Sequence, residues 1–283
     1  MTPITAADIY AARDILQPSA AAWALDNLDY LNKPMKLFGS SQKVEKGADK
    51  YDTYILYLQP ADKVARQTLC PVAAAAGCKR PCLISSGQLG MSTGQRAATK
   101  RTILLLLRQD EFNAQLLKEI DAAERRAQRT GIPALFRLNG TSDISWLHII
   151  AQRPGSMFYD YSKSLGHVRM AEGYDNYDVT YSGSMYSEQS RKSLGKAVSR
   201  GYRVAVAVNT AHAKGDSAAL GAFYAAHTSF DKTDLRHLDA PGTIGVLSRK
   251  GSSKAQRATE GAASFFVTES NLSDFNNIIA RAA

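Results

Sequence analysis

The chain has 283 residues, 45% of them apolar and 22% charged, enough for one sizeable domain with its own core. Lys and Arg number 35 against 26 Asp and Glu, a formal net charge of +9 that favours a polyanionic partner, DNA or a nucleotide. No apolar run approaches the ~20 residues that a membrane-crossing helix needs, and Met1 to Asp8 lack a basic start followed by an apolar stretch. The expectation is a protein of the cytoplasm, host cytoplasm if phage-encoded, that contacts no membrane.

Residues 1–50 read as an N-terminal helical extension and 51–283 as a single α/β domain. Ala6 to Leu16 and Ala20 to Leu31 have helical patterning and are divided at Gln17-Pro18-Ser19; 39–49 is polar loop. Tyr51 to Leu58 is rich in β-formers and ends at Gln59-Pro60, which marks a first strand. The chain's three cysteines follow together as Cys70, Cys78 and Cys82, spaced C-x7-C-x3-C. Three thiols in one loop suit a shared metal, and three is an odd number for disulfides. The spacing matches neither the C-x2-C knuckles of zinc modules nor a ferredoxin run, so it indicates a metal centre, iron–sulfur or zinc, without choosing between them.

Gly94 to Thr130 carries the clearest helical pattern. Ile103 to Leu107 is continuously apolar, and Phe112, Leu116, Leu117 and Ile120 continue it at helical spacing. Strand-like runs then recur at Ala134–Asn139, Met157–Tyr161, Val179–Ser182, Tyr202–Val208, Gly221–Ala226 and Thr243–Leu247, with helix-compatible stretches such as Ser187–Ser199 between them. That alternation predicts β/α units and a mainly parallel sheet, closed as a (β/α) barrel, left as a partial barrel, or laid out as an open doubly wound sheet. No Gly-x-Gly-x-x-Gly follows the first strand, which removes support for a dinucleotide fold.

In β/α folds chemistry gathers where strands end. Arg137 and Asn139 share a face of one strand, and an arginine placed mid-strand calls for a partner, Asp143 or Asp160. Asp143 alone reads as a cap for a helix starting near Ile144. Asp160, with Lys163 after it, is a candidate base, nucleophile or ligand holder inside a barrel, or an ion pair to Arg137. Tyr181-Ser182-Gly183-Ser184 ends the next strand, with hydroxyls suited to a polar ligand or cofactor. His212 is a candidate fourth metal ligand, though a lone histidine after a strand is more often a loop residue. The stretch 231–239, with Asp231, Asp234, Arg236, His237 and Asp239, reads equally as a polar binding site or a solvated turn.

Basic residues cluster at Arg96, Lys100, Arg101 and Arg108, at Arg125, Arg126 and Arg129, and at Arg249, Lys250, Lys254 and Arg257, with Lys79 and Arg80 in the cysteine loop. Such patches bind phosphates, and the first and last are the candidate nucleic-acid contacts, whereas single runs are usually solvated faces. Walker, H-E-x-x-H, G-x-S-x-G and kinase motifs are absent, as is the His-hydrophobic-His pair of rolling-circle nickases, which Trp146-Leu-His148 does not supply.

Met35-Lys-Leu-Phe-Gly-Ser-Ser41, Cys70-Pro to Gly-Cys78-Lys-Arg-Pro-Cys82-Leu, Arg137-Leu-Asn-Gly-Thr-Ser-Asp143 and Phe158-Tyr-Asp-Tyr-Ser-Lys163 resemble a group of phage and prophage proteins over residues of about 35 to 250. The layout of first strand, three-cysteine loop, long helix and polar second strand end also resembles the barrels of radical S-adenosylmethionine enzymes. Those use C-x3-C-x2-C where this chain has C-x7-C-x3-C. The resemblance implies a phage-type enzyme that modifies nucleic acid or a nucleotide through an iron–sulfur centre, with S-adenosylmethionine as cofactor. Two further readings stand beside it. One is a base-exchanging DNA transglycosylase with Asp143 or Asp160 as nucleophile and a structural zinc. The other is a non-catalytic DNA-binding phage accessory protein.

Overall fold

The structure is a computed structural model, and it describes residues 1–39, 50–79, 81–85, 87–209, 218–249 and 264–282. Three short helices open it, α1 (Ala6–Ala11), α2 (Pro18–Asp26) and α3 (Leu28–Asn32), followed by strands β1 (Phe38–Gly39) and β2 (Asp52–Leu56). The cysteine loop holds one helical turn, α4 (Ala73–Ala76), and leads through α5 (Gly87–Gly90) to α6 (Ser92–Leu107) and α7 (Gln109–Thr130). Then strands and helices alternate: β3 (Ala134–Arg137), α8 (Leu147–Ile150), β4 (Met157–Ser162), α9 (Leu165–Ala171), β5 (Tyr177–Ser182), α10 (Glu188–Ser199) and β6 (Val204–Val208). The remainder is α11 (Ala218–Ala226), β7 (Thr228–Ser229), β8 (Ile244–Ser248) and the last helix, α12 (Leu272–Ala282).

The eight strands form one sheet in the order β1-β2-β3-β4-β5-β6-β8-β7. Only β1 runs antiparallel to its neighbour; β2 through β6 and β8 form a parallel series, with β7 parallel to β8 at the far edge. From β1 to β6 sequential strands pair as neighbours, so this part of the sheet winds in one direction; β8 then lies between β6 and β7, and among the described residues no pairing joins the two edges. The fold is therefore an α/β partial barrel rather than a closed one.

Alternation along the strands sends Leu56, Phe136, Leu138 and Phe158 to the helix-covered face, where they meet Phe112, Leu116 and Ile120 of α7 in one buried cluster. Ile4, Ile9, Leu16 and Leu31 belong to the same cluster, so the N-terminal helices share the sheet's core. A second cluster joins Val204, Val206 and Val208 of β6 to Leu194, Ala197 and Phe275 of the adjoining helices. The opposite face carries Leu135 and Tyr159, and Leu235 packs on them. Phe230 lies so close to β8 that a Cβ at Gly245 would run into its ring.

Four expectations are corrected. Gly221–Ala226 is helix, not strand: Ala-Ala-Leu-Gly-Ala-Phe-Tyr-Ala-Ala is alanine-rich, and that preference outweighs its two aromatic β-formers. The single helix over 94–130 is two, broken at Arg108 (φ −141°), whose guanidinium turns to pair with Asp8 at 3.0 Å. The first helix ends at Ala11 rather than Leu16, which instead bridges to Ala65. Pro18 does not divide two helices but starts the second, where its missing N–H costs nothing.

Candidate functional site

The cysteine loop lies beyond the C-terminal end of β2 and is tied down from both sides. The Cys70 Sγ accepts from the Ala61 N–H at 3.3 Å and lies 3.8 Å from the Thr141 carbonyl. Helix α4 ends at Gly77 in the left-handed region (φ 66°), and a Cβ there would overlap the ring of Tyr186. The orphan carbonyls of that turn are taken by three serines, Ser184 and Ser187 of the β5–α10 connection and Ser190 in the first turn of α10. Ser184 donates to Ala76 at 2.7 Å, and Ser187 and Ser190 donate to Ala75 at 2.7 and 2.8 Å.

All three cysteines are half-buried and none is in a disulfide. Burial pushes the Cys70 thiol up to about 12, with further upward pressure from Cys78, Cys82 and Asp143. Burial raises Cys82 as well, opposed in part by Lys63 and Lys163. The three sulfurs thus share one electrostatic neighbourhood with Asp143 and Lys163. Among the described residues, no three His, Cys, Asp or Glu side chains stand close enough to hold a metal ion as placed.

Beside the loop, the ends of β3 and β4 carry a chain of hydrogen bonds. Asn139 donates its backbone N–H to Asp160 Oδ1 at 2.8 Å and its amide to Oδ2 at 3.2 Å. The Tyr177 hydroxyl donates to Asp160 at 3.1 Å and lies 3.0 Å from His167 Nε2, and His167 Nδ1 lies 3.2 Å from Asp143. Asp143 also accepts from Ser162 Oγ at 2.7 Å and the Lys163 N–H at 2.9 Å. Burial raises Asp160 to about 6, against the lowering pull of Arg137 and its hydrogen-bond donors. The chain connects a carboxyl that holds its proton unusually long, through a tyrosine and a histidine, to a carboxylate beside Cys70.

Several expectations change here. Asp160 is 1% exposed and lies on the helix-covered side of the sheet, not inside a barrel, because alternation places it with Phe158. Asp143 does not cap a helix at Ile144; Asn139 caps the turn instead, its Oδ1 accepting from Ser142 and the Ile144 N–H. Arg137 takes Asp234 as its main partner at 2.9 Å, with Asp160 at 4.0 Å. Burial alone would lower the Arg137 guanidinium, but Asp234 and the neighbouring tyrosines raise it further, so it stays a cation.

In the stretch 231–239, Asp234, Leu235 and Arg236 are buried, while Lys232 and Leu238 face solvent. Asp234 accepts from Tyr159 and Tyr161, and Arg236 is 2% exposed with its guanidinium 3.8 Å from the Phe230 ring centroid. This segment fills the sheet's second face below the strand ends.

Among the described residues the basic clusters do not form one patch. Lys100 is 1% exposed and donates to the carbonyls of Tyr30 and Lys33, and burial lowers its pKa. It is an internal tie to α3, because helical spacing turns it inward. Arg101 reaches the Lys36 carbonyl at 3.2 Å, while Arg96 is exposed beside Asn27 and 4.8 Å from the Tyr30 ring centroid. Arg249 donates to Asn209 at 2.9 Å. Arg80, His212, Lys250, Lys254 and Arg257 lie outside the described residues.

Ser182 and Ser184 do come together with the cysteine loop. Both line a cleft of about 290 Å³ beside α4, with Lys163 between β4 and β5 and Lys196 on α10. Lys163 Nζ donates to Ser182 Oγ at 2.8 Å and stands 4.9 Å from the Phe265 ring centroid. Sequence reasoning missed His167 and Tyr177. The signal for His167 was present in Ser164-Leu-Gly-His167: Ser164 caps α9 by accepting the His167 N–H, which fixes the histidine on the helix's inward face.

No curated protein and no solved structure is similar enough to the chain to indicate a relationship. Residues 33–264 match the protein family described as Gene product 88, a span that takes in the cysteine loop, both polar strand ends and the cleft. With four-fifths of its length matched, the chain belongs to the Gene product 88 family, a family of phage type.

Proposed function

We propose that this protein is a phage-type enzyme that modifies a nucleotide or nucleic acid with the help of a metal centre on Cys70, Cys78 and Cys82. The observation that carries the reading is the position of the three thiols. They are unbridged on one tied-down loop at the C-terminal edge of a parallel sheet, each within the others' electrostatic reach, with Asp143 and Lys163 alongside. A loop that follows the first parallel strand of a one-directional partial barrel is also where the resemblance to radical S-adenosylmethionine barrels sets an iron–sulfur cluster.

Cys70, Cys78 and Cys82 would hold a metal as thiolates, the charged form that burial alone opposes at Cys70 and Cys82. An open coordination position on such a centre supplies one-electron or Lewis-acid chemistry. The chain's own residues do the rest: Asp143, hydrogen-bonded to Ser162, the Lys163 N–H and His167, is the outer end of a hydrogen-bonded chain that runs through His167 and Tyr177 to Asp160. The Ser182 and Ser184 cleft holds the substrate or S-adenosylmethionine.

The test is anaerobic reconstitution followed by iron, sulfide and zinc analysis. Iron and sulfide in equal amounts, lost together in Cys78→Ser, supports the iron–sulfur centre. A colourless protein holding one zinc, or none, removes it.

A further inference from the structure

The cleft between the cysteine loop and α10 has an unusual charge balance. Lys163 is a half-buried cation whose ammonium is fixed by Ser182 and by the Phe265 ring, and among the described residues no carboxylate pairs with it. Lys196, exposed at the last turn of α10, lines the same cleft, and none of the lining side chains is acidic. The Lys163 N–H does bind Asp143, but that carboxylate is engaged on its own side by Ser162 and His167. Two cations thus face one small space with no counter-charge in it.

The hydroxyls divide by role. Ser184 and Ser190 spend their protons on the Ala76 and Ala75 carbonyls and so build the wall. Ser182 accepts from Lys163, which leaves its own proton directed elsewhere, with no acceptor for it among the described residues. Two ammonium groups and one hydroxyl donor around a shared space are what an anion with several acceptor oxygens takes up. A volume of about 290 Å³ lies at the small end of ligand sites, enough for a phosphate with its sugar but not for a stretch of duplex.

We infer that this cleft binds the phosphate of a nucleotide-sized ligand, with Lys163 as its main contact, Ser182 as a second donor and Lys196 at the mouth. This names the substrate class of the site proposed above and rests on that reading only for what is done to the bound molecule. The phosphate site itself needs no metal.

Binding of adenosine monophosphate and of adenosine to the metal-free full chain separates the two ideas. The phosphate should strengthen binding about tenfold or more, the scale of a charge-assisted contact. Lys163→Gln should close that gap, Lys163→Arg should restore part of it, and Lys196→Gln should narrow it. Lys192→Gln should leave it unchanged, since Lys192 pairs with Glu188 on the outer face of α10. Melting temperature reports folding, and Lys196→Gln, on the surface, keeps the test open if Lys163→Gln is unstable. Equal binding of the two probes, binding of neither, or the same loss in Lys163→Gln and Lys192→Gln overturns the phosphate site. Failure to hold iron leaves this result untouched, so the two readings fall separately.

Discussion

Asp160 shows how a single buried group sets a pH dependence. Its pKa stands at about 6 in the fold against an ordinary 3.8. Between those values the folded chain keeps the proton that the unfolded chain has released, so the native state binds more protons than the unfolded one. Stability attributable to Asp160 is therefore full below about pH 4 and is lost as pH rises to about 6, by roughly 2–3 kcal/mol. Asp160→Asn should flatten that part of a denaturant-measured stability profile; an unchanged slope between pH 4 and 6 refutes the assignment. Gly77 is the second sharp case. Its positive φ and the Tyr186 ring both exclude a side chain, so Gly77→Ala should cost about 1–3 kcal/mol in backbone strain before any clash. In Gly77→Ala with Tyr186→Ala the clash should vanish and the strain remain, a coupling that a double-mutant cycle measures. Neither residue's role was legible beforehand. Asp160 reads as a carboxylate in an aromatic strand, and only the helix on that side reveals that it is enclosed.

At the scale of elements, the strands and the helices between them were largely readable, because alternation and helical spacing act locally. The misread pieces are those where a distant residue decides. The helix breaks at Arg108, whose guanidinium pairs with Asp8, a hundred residues earlier. The 231–239 stretch looks like a charged turn, but Arg137, Tyr159 and Tyr161 on two strands draw Asp234 into the sheet. The candidate site divides in the same way. Cys70, Cys78, Cys82, Ser182 and Ser184 were visible as clusters in sequence; the His167 and Tyr177 links depend on which faces meet. The serine ties between α4 and the β5–α10 connection are themselves testable. Ser184→Ala with Ser187→Ala and Ser190→Ala should raise amide exchange in 73–78 while leaving exchange in β4 and β5 unchanged. Equal protection in the variant would show that the turn is held by something else.

At the scale of the whole molecule, the net charge is +9, and among the described residues the basic side chains are spread rather than gathered. Lys100 is internal, and Arg108 and Arg126 are paired with Asp8 and Asp52. Arg96, Arg125 and Arg129 are left facing solvent on α6 and α7. Such a surface attracts polyanions weakly and without register. Any association with single-stranded or duplex DNA should therefore weaken linearly in log affinity against log salt, by about 0.7–0.9 per phosphate contacted. Measured by fluorescence anisotropy, a slope of only one or two contacts would fit a protein that acts on nucleotides or strand ends. Affinity independent of salt would exclude phosphate-driven contact altogether. No helix among the described residues is long and apolar enough to cross a membrane.

The three serine ties also put the cysteine loop on a clock. Their carbonyl partners precede them by 108 to 115 residues. A ribosome adding about 5–20 residues per second leaves the α4 turn without these ties for roughly 5–20 seconds after it is made. During that interval the turn lacks its serine ties, and once Ser184 to Ser190 emerge, it is clamped. On the metal centre proposed above, the finished protein should take up metal more slowly than the nascent chain. Moving the ties out of reach, by halting synthesis just before Ser184, should prolong the receptive state, which pulse loading of stalled chains would measure.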